Sequence, residues 1–318
     1  MEHLLDLYRE MEPVEVFMAA LRASHEYLSI EFQDAVVAEI FRDPICDDFA
    51  PKQAYTYRII KMYVHDAEMA GGDISDELMA ELMARISNNK CFNSLDELHH
   101  VSYRLRQPNA SRHDVITCRV ATAHNEVGMK LWEAGFYLAE YGLAHPTAFA
   151  NKRVIELGAG AGFTGLVLAA NAAQPPGHVL VTDYAPVVLQ NLRYNVELNA
   201  FRGMLAPCPV TTAALDWTNW TWDDCEMAFD VLIAGDCVYD VRSFPDLMRV
   251  LAAFLKRPRT TAIFASTIRN AATFQAFLDQ LHAHAIDYTE LPCDFPALFT
   301  YANRDSIRLT ELRAATRQ

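Results

Sequence analysis

The stretch VIELGAGAGFTGLVLAA, residues 154–170, decides the fold. Val154, Ile155 and Leu157 read as the end of a buried strand, and a helix is expected from about Phe163. Between them lie glycines, which let the backbone turn tightly and approach a ligand. Two spacings overlap in this turn. Gly160, Gly162 and Gly165 give G-x-G-x-x-G, the pattern of a dinucleotide loop. Glu156, Gly158, Gly160 and Gly162 give E-x-G-x-G-x-G, the pattern of an S-adenosylmethionine loop.

The next strand, HVLVTD, ends at Asp183, where a carboxylate accepts hydrogen bonds from the ribose hydroxyls of either ligand. Glu156 begins to separate the two. A carboxylate at the root of the loop opposes a doubly anionic pyrophosphate and suits a sulfonium or an ammonium group. The competing reading is that Glu156 caps a nearby helix or faces water. Gly165 is then a helix residue needing close packing on the sheet rather than part of a dinucleotide loop.

Two further strand ends carry candidate site residues. ALDW places Asp216 and Trp217 after a strand, and together they suit adenine: ring stacking from Trp217, hydrogen bonding to Asp216 from the exocyclic amine. The run DWTNWTWDD holds three tryptophans, so at least one is expected to serve packing alone. FDVLIAGDCVYD ends in the small pair Ala234-Gly235, against which a ligand could lie flat, with Asp236 and Tyr239 at the mouth. Cys237 has no His or Lys beside it in the sequence to activate its thiol and reads as packing. His282 and His284 do not share a helix face, so no metal site is expected.

Around this centre strands and helices alternate from residue 150 onward, the pattern of an α/β parallel sheet covered on both faces. The last two strands, IDYTEL and SIRLTEL, lack a helix between them and are expected to pair antiparallel at one edge. HHVSYRLRQ and DVITCRVA read as two strands joined by a turn-rich link. The first ninety or so residues read as helices, with Pro13 and Pro51 near helix starts, a Gly71-Gly72 stop and a cap at Ser75. The expected division is a helical domain over residues 1–97 and a sheet domain over residues 98–318.

Composition narrows the partners. A formal net charge of −14 gains nothing from counterion release on nucleic acid, so no direct nucleic-acid role is expected. Seven scattered cysteines without C-x-x-C favour reduced thiols, and no apolar run approaches a membrane span. A soluble, cytoplasmic protein is expected.

The segments VIELGAGAGFTGLVLA, VTDYAPVVLQNLRYNVELN, ALDW and IAGDCVYD, with EVGMKLWEAGFYLAEYGLAHPTAFANKRVIELG upstream, together resemble the seven-β-strand lysine methyltransferases of methyltransferase family 16. The helical N-terminal region, including FRDPICDDFAPKQAYTYRIIKMYV, is similar to that of the members acting on elongation factor 2. The resemblance implies a Rossmann-like class I methyltransferase sheet of seven strands with an antiparallel edge strand. It implies S-adenosyl-L-methionine as cofactor and a protein substrate, elongation factor 2, with transfer to a lysine. Trp132, Gly158, Ala159, Gly160, Asp183, Trp217 and Gly235 then line the cofactor site, beside Glu156 and Asp216 from the reading above. Asp236 and Tyr239 match a D-x-x-Y element that places the substrate. Two other classes stay open on the residues alone: a nicotinamide oxidoreductase, whose hydride-relay residues have no evident position, and a cofactor-binding scaffold without catalysis.

Overall fold

The computed structural model describes residues 1–87, 98–106, 111–121, 127–206, 208–219 and 228–315. The chain divides into two compact units, residues 1–125 and 126–318.

In the first unit, amphipathic sequence becomes helix wherever an apolar face finds a partner: α1 Glu2–Arg9, α2 Val14–Arg22, α3 Ile30–Val36, α4 Pro44–Asp48, α5 Gln53–Met69 and α6 Asp76–Ser87. A π-helical turn over Val37–Phe41 continues α3. Phe17, Leu21, Val36, Ile40, Ile59, Ile60, Tyr63 and Leu78 form the shared core. Gly71 takes a left-handed φ of +64° after α5, and the Ser75 hydroxyl accepts from Leu78 N at 3.0 Å at the start of α6, matching the expected stop and cap. One ion pair is fully enclosed: Arg9 Nε and Nη2 donate to the Asp43 carboxylate at 2.9 and 2.5 Å.

The hairpin β1 Leu98–Arg104 and β2 Val115–Ala121 pairs antiparallel, as expected. It belongs with the helices, however. His100 N donates to Ala50 O at 3.0 Å, and Arg104 pairs with buried Asp6 of α1 at 2.6 Å. The structural division therefore falls after the hairpin, near residue 125, rather than before it at residue 97. A two-stranded sheet cannot bury a face alone, and the helices supply the cover.

The second unit is a seven-stranded sheet in the order β5-β4-β3-β6-β7-β9-β8. Its strands are β3 Arg153–Glu156, β4 His178–Asp183, β5 Val210–Ala214, β6 Val231–Gly235, β7 Thr261–Thr267, β8 Ile286–Glu290 and β9 Ile307–Ala314. β3 to β7 are parallel to one another; β9 runs antiparallel to both β7 and β8. The antiparallel pair is thus at the expected edge, with β9 inserted one place in from it. Five helices cover the sheet: α7 Glu133–Ala144, α8 Phe163–Ala169, α9 Pro186–Phe201, α10 Phe244–Leu255 and α11 Ala271–Ala283. Residues alternating along the strands, Ile155, Leu180, Leu232 and Ala234, pack with Phe244, Leu247 and Leu251 of α10 and Phe277 and Leu281 of α11.

The connection from β8 to β9 is tied to α7 by one buried acid. The Glu140 carboxylate accepts from Leu298 N at 2.7 Å, Phe299 N at 2.9 Å and Tyr301 Oη at 2.6 Å, and also from Arg304. Strand order reverses between β3→β4 and β3→β6, so the carboxyl ends of β3 and β6 open a crevice there.

Candidate active site

The glycine turn fills that crevice. Gly158, Gly160 and Gly162 all adopt left-handed backbone, at φ +60°, +55° and +86°. Space forbids side chains as firmly as conformation does. A Cβ on Gly158 would lie 3.0 Å from Cys237 Sγ, and one on Gly160 would lie 3.0 Å from Gly128 O. Gly165 differs. It sits inside α8, where a Cβ would come within 2.5 Å of Val181 Cγ1 and 2.7 Å of Glu156 Oε2. Its smallness serves helix-on-sheet packing, so the spacing that describes the turn itself is E-x-G-x-G-x-G.

Acidic groups border the turn. Glu156 is buried and its Oε2 accepts from Gly165 N at 2.9 Å, which caps the first turn of α8. Burial raises its carboxyl to about 8, against the opposing pull of the Gly165 N–H and Thr164. The capping role weighed from sequence is therefore present, on a residue that also lies at the root of the turn. Asp183 closes β4; its Oδ2 accepts from Gly160 N at 3.1 Å and its Oδ1 from Tyr184 N at 2.7 Å. Ala159 N donates to Thr182 O at 2.8 Å, completing the seam between turn and strand.

After β5, the Trp217 ring reaches over the turn, 3.8 Å from where a Gly158 Cβ would stand. Asp216 is largely committed to its own loop. Oδ1 takes both Thr218 N at 2.9 Å and Thr218 Oγ1 at 2.7 Å, and these bonds lower its pKa; Oδ2 takes Asn219 Nδ2 at 2.9 Å. Its remaining acceptor capacity for an adenine amine is on Oδ2. Trp220 and Trp222 lie outside the described residues.

At the mouth, Asp236 is 8% exposed and holds a left-handed φ of +59°, uncommon for a side chain with a Cβ. Its Oδ1 accepts from Thr267 N at 3.1 Å; its Oδ2 accepts from Thr267 Oγ1 at 3.2 Å and from Arg269 Nη2 at 2.7 Å. Arg269 also donates to Glu133 at 3.1 Å and lies 5.2 Å from the centre of the Trp132 ring. Trp132 caps α7 and donates its indole N–H to Val127 O at 3.0 Å. Tyr239 stands exposed at the rim. Cys237 is buried with its thiol toward Leu157 O at 3.3 Å; burial, with Glu156 and Asp236 nearby, pushes that thiol up, as suits the packing role read from sequence. Gly235 is also hemmed in by protein. A Cβ there would meet Gly135 Cα at 3.1 Å, so its smallness admits the backbone of α7 and thereby sets the start of that helix.

Sequence reasoning missed Arg269, Glu133, Thr267 and Gly135. The available signal for Arg269 was its position just beyond β7, since the other site residues of the sheet also stand at strand ends. Glu133 and Gly135 carry no such signal, because only the packing of α7 on β6 brings them in.

A turn of glycines and alanines, bordered by the carboxyls of Glu156 and Asp183 with an aromatic ring above, suits an adenosyl ligand bearing positive charge and opposes a pyrophosphate. With the reversed strand order, these features define an S-adenosylmethionine-binding enzyme of the class I methyltransferase fold. Comparison with known proteins agrees. A family model described as lysine methyltransferase matches residues 113–284. The chain is 30% identical over 302 residues to protein-lysine N-methyltransferase EEF2KMT of Mus musculus, covering 89% of this chain and 85% of the relative. The Bos taurus protein of that name is 29% identical over 302 residues (87% and 85%), and the Homo sapiens one 30% over 298 (86% and 86%). The chain belongs to the lysine methyltransferase family, and S-adenosylmethionine is its methyl donor. The nicotinamide reading of the glycine turn is thereby set aside.

Proposed function

We propose that this enzyme methylates a lysine of elongation factor 2, in the cytoplasm, with Asp236 and Tyr239 orienting the lysine amine. One observation carries the substrate: the alignment with relatives named EEF2KMT runs through the helical first unit as well as the sheet, over 89% of this chain. Among the described residues no helix is long and apolar enough to cross a membrane, in keeping with that setting.

Bound S-adenosylmethionine supplies an electrophilic methyl on a sulfonium, whose thioether leaves without acid assistance. The chain's own residues bind and aim. Gly158, Ala159 and Gly160 give the ligand a backbone surface, Asp183 accepts from the ribose hydroxyls, Trp217 stacks on adenine and Asp216 Oδ2 takes the exocyclic amine. Trp132 closes the side nearest the substrate, and Glu156 complements the positive end. Only a neutral amine attacks, so the substrate's ammonium must first lose a proton to water. Desolvation at the mouth favours that loss. The Tyr239 phenol, raised in pKa by burial and its acidic neighbours, stays protonated and serves as an orienting group, not a base. No residue is assigned as an indispensable general base; alignment is the main contribution.

The test is methyl transfer from labelled S-adenosylmethionine to purified elongation factor 2. Wild type should label one lysine. Asp236→Ala should lose about a hundredfold in rate, of the order of a misplaced reacting group, while binding S-adenosylhomocysteine within about threefold. Labelling of a different protein from cell extract would replace the substrate; an active Asp236→Ala would remove that residue from the mechanism.

A further inference from the structure

A lysine methyltransferase faces a conflict at its mouth. A carboxylate that attracts the substrate's ammonium also raises its pKa and so holds it in the form that cannot react. Here the conflict is acute, because acidic groups face the mouth from most of the elements around it. Asp183 comes from β4, while Glu156 of β3 lies buried against Gly165 N with its carboxyl raised to about 8 by burial. Glu133 comes from the first turn of α7, and Asp236, with Asp240 beyond it, from the loop after β6. Among the described residues the Cys237 thiol and the Tyr184 and Tyr239 phenols are also close, Arg242 pairs with Asp240 at 2.7 Å, and Asn303 Nδ2 approaches Glu133 from the β8–β9 connection at 3.5 Å.

Against these stands Arg269. Its Nη2 bridges Asp236 at 2.7 Å and Glu133 at 3.1 Å, its guanidinium covers the Trp132 ring, and 45% of its side chain is exposed against 6% for Asp236. Among the described residues, Asp236 and Glu133 form ion pairs with Arg269 only. Arg269 takes Asp236 Oδ2, while Oδ1 carries a single hydrogen bond, from Thr267 N. A carboxylate oxygen has two lone pairs, so Oδ1 retains one acceptor position.

We propose that Arg269 is a positioning residue that cancels the charge of Asp236 where the substrate lysine docks, so that Asp236 orients the amine through Oδ1 without holding it as ammonium. The inference rests on the lysine reading above. The substrate ammonium gives its proton to water, and the freed lone pair forms the N–C bond as the S–C bond breaks toward sulfur. Arg269 acts on the first of these steps.

The experiment compares wild type with Arg269→Gln, Arg269→Lys and Glu133→Gln. Methyl incorporation is followed from pH 6.5 to 9.5, into elongation factor 2 and in parallel into unfractionated cell extract. Calorimetry at pH 7 measures elongation factor 2 binding to the protein loaded with S-adenosylhomocysteine, which cannot react. Arg269→Gln should shift the rate profile alkaline by about one pH unit, losing about tenfold at pH 7 and recovering near pH 9, while binding elongation factor 2 as tightly as wild type or several-fold tighter. Arg269→Lys keeps the charge and should retain the wild-type profile. Glu133→Gln removes a carboxylate and should shift the profile the other way, toward acid, so the idea stays testable even where Arg269→Gln does not fold. A loss that is equal at every pH, weaker binding by Arg269→Gln, an alkaline shift in Arg269→Lys, or an unmoved Glu133→Gln profile would each overturn the proposal. Wild type that labels neither elongation factor 2 nor any extract protein would overturn the lysine reading, and this inference with it.

Discussion

Glu156→Gln is the substitution whose outcome the structure fixes most tightly. Glutamine keeps an oxygen for Gly165 N but removes the titration. In the folded protein the Glu156 carboxyl is raised from an ordinary 4.5 to about 8 by burial. Between those two values the folded chain holds a proton that the unfolded chain has lost, so stability falls as pH rises through that window. Each pH unit is worth about 1.4 kcal/mol, so this group removes about 2 kcal/mol between pH 6 and 8, and its full contribution is about 5 kcal/mol. Glu10 of the first unit is raised to about 8 as well, by burial and by Asp6, and follows the same trend. The difference between wild type and Glu156→Gln isolates the site. All four tryptophans lie in the second unit, so urea unfolding followed by tryptophan fluorescence reports on the sheet domain. The two proteins should be close in stability near pH 4, and Glu156→Gln should be the more stable by about 2 kcal/mol at pH 6 and about 4 kcal/mol at pH 8. A positively charged ligand beside Glu156 should restore the carboxylate. S-adenosylmethionine binding near pH 7.5, without protein substrate, should then release a proton from wild type, seen as a buffer-dependent calorimetric enthalpy, and none from Glu156→Gln. Parallel stability curves across pH 6–8 would refute the buried, proton-holding Glu156.

Other outcomes come from packing. Gly165→Ala pushes a Cβ to 2.5 Å from Val181 and 2.7 Å from Glu156; overpacking of this kind costs about 1–3 kcal/mol, and denaturant midpoints should show it. Glu140→Ala leaves two backbone N–H groups, the Tyr301 hydroxyl and Arg304 without their shared acceptor; the loss should be about 3–5 kcal/mol, with hydrogen exchange at Leu298 and Phe299 accelerated ahead of the sheet.

Strands β3, β4 and β6 were legible because each is short, apolar and ended by a glycine or an acid. A buried strand needs no helix-like periodicity, and VIELG, VLVTD and VLIAGD announce both their burial and their ends. The order of the last two strands was less accessible. IDYTEL and SIRLTEL show that they pair, but β9 lies between β7 and β8 because of pairing with residues far earlier in the chain, such as Phe264 opposite Thr310. The boundary at residue 97 missed for a similar reason. Nothing within the hairpin sequence says which neighbour covers it; the ion pair of Arg104 with Asp6, ninety-eight residues away, does.

The site divides along the same line. Residues fixed by strand ends, Glu156, Asp183, Trp217 and Asp236, could be read in order along the chain. Gly235 was read as a place where a ligand could lie flat, and what the sequence did not show is that the backbone of α7 at Gly135 packs there. That contact has a functional consequence. It seats the first turn of α7 on β6, which sets Glu133 and Trp132 beside the loop after β7. Arg269 then meets an acid and an aromatic face on one side and Asp236 on the other. A small residue at the end of β6 therefore fixes where α7 starts, and with it the place of Glu133 and Trp132. Enlarging Gly235 should displace the start of α7 and weaken the Glu133–Arg269 pair, while Gly160 keeps its own hydrogen bond to Asp183.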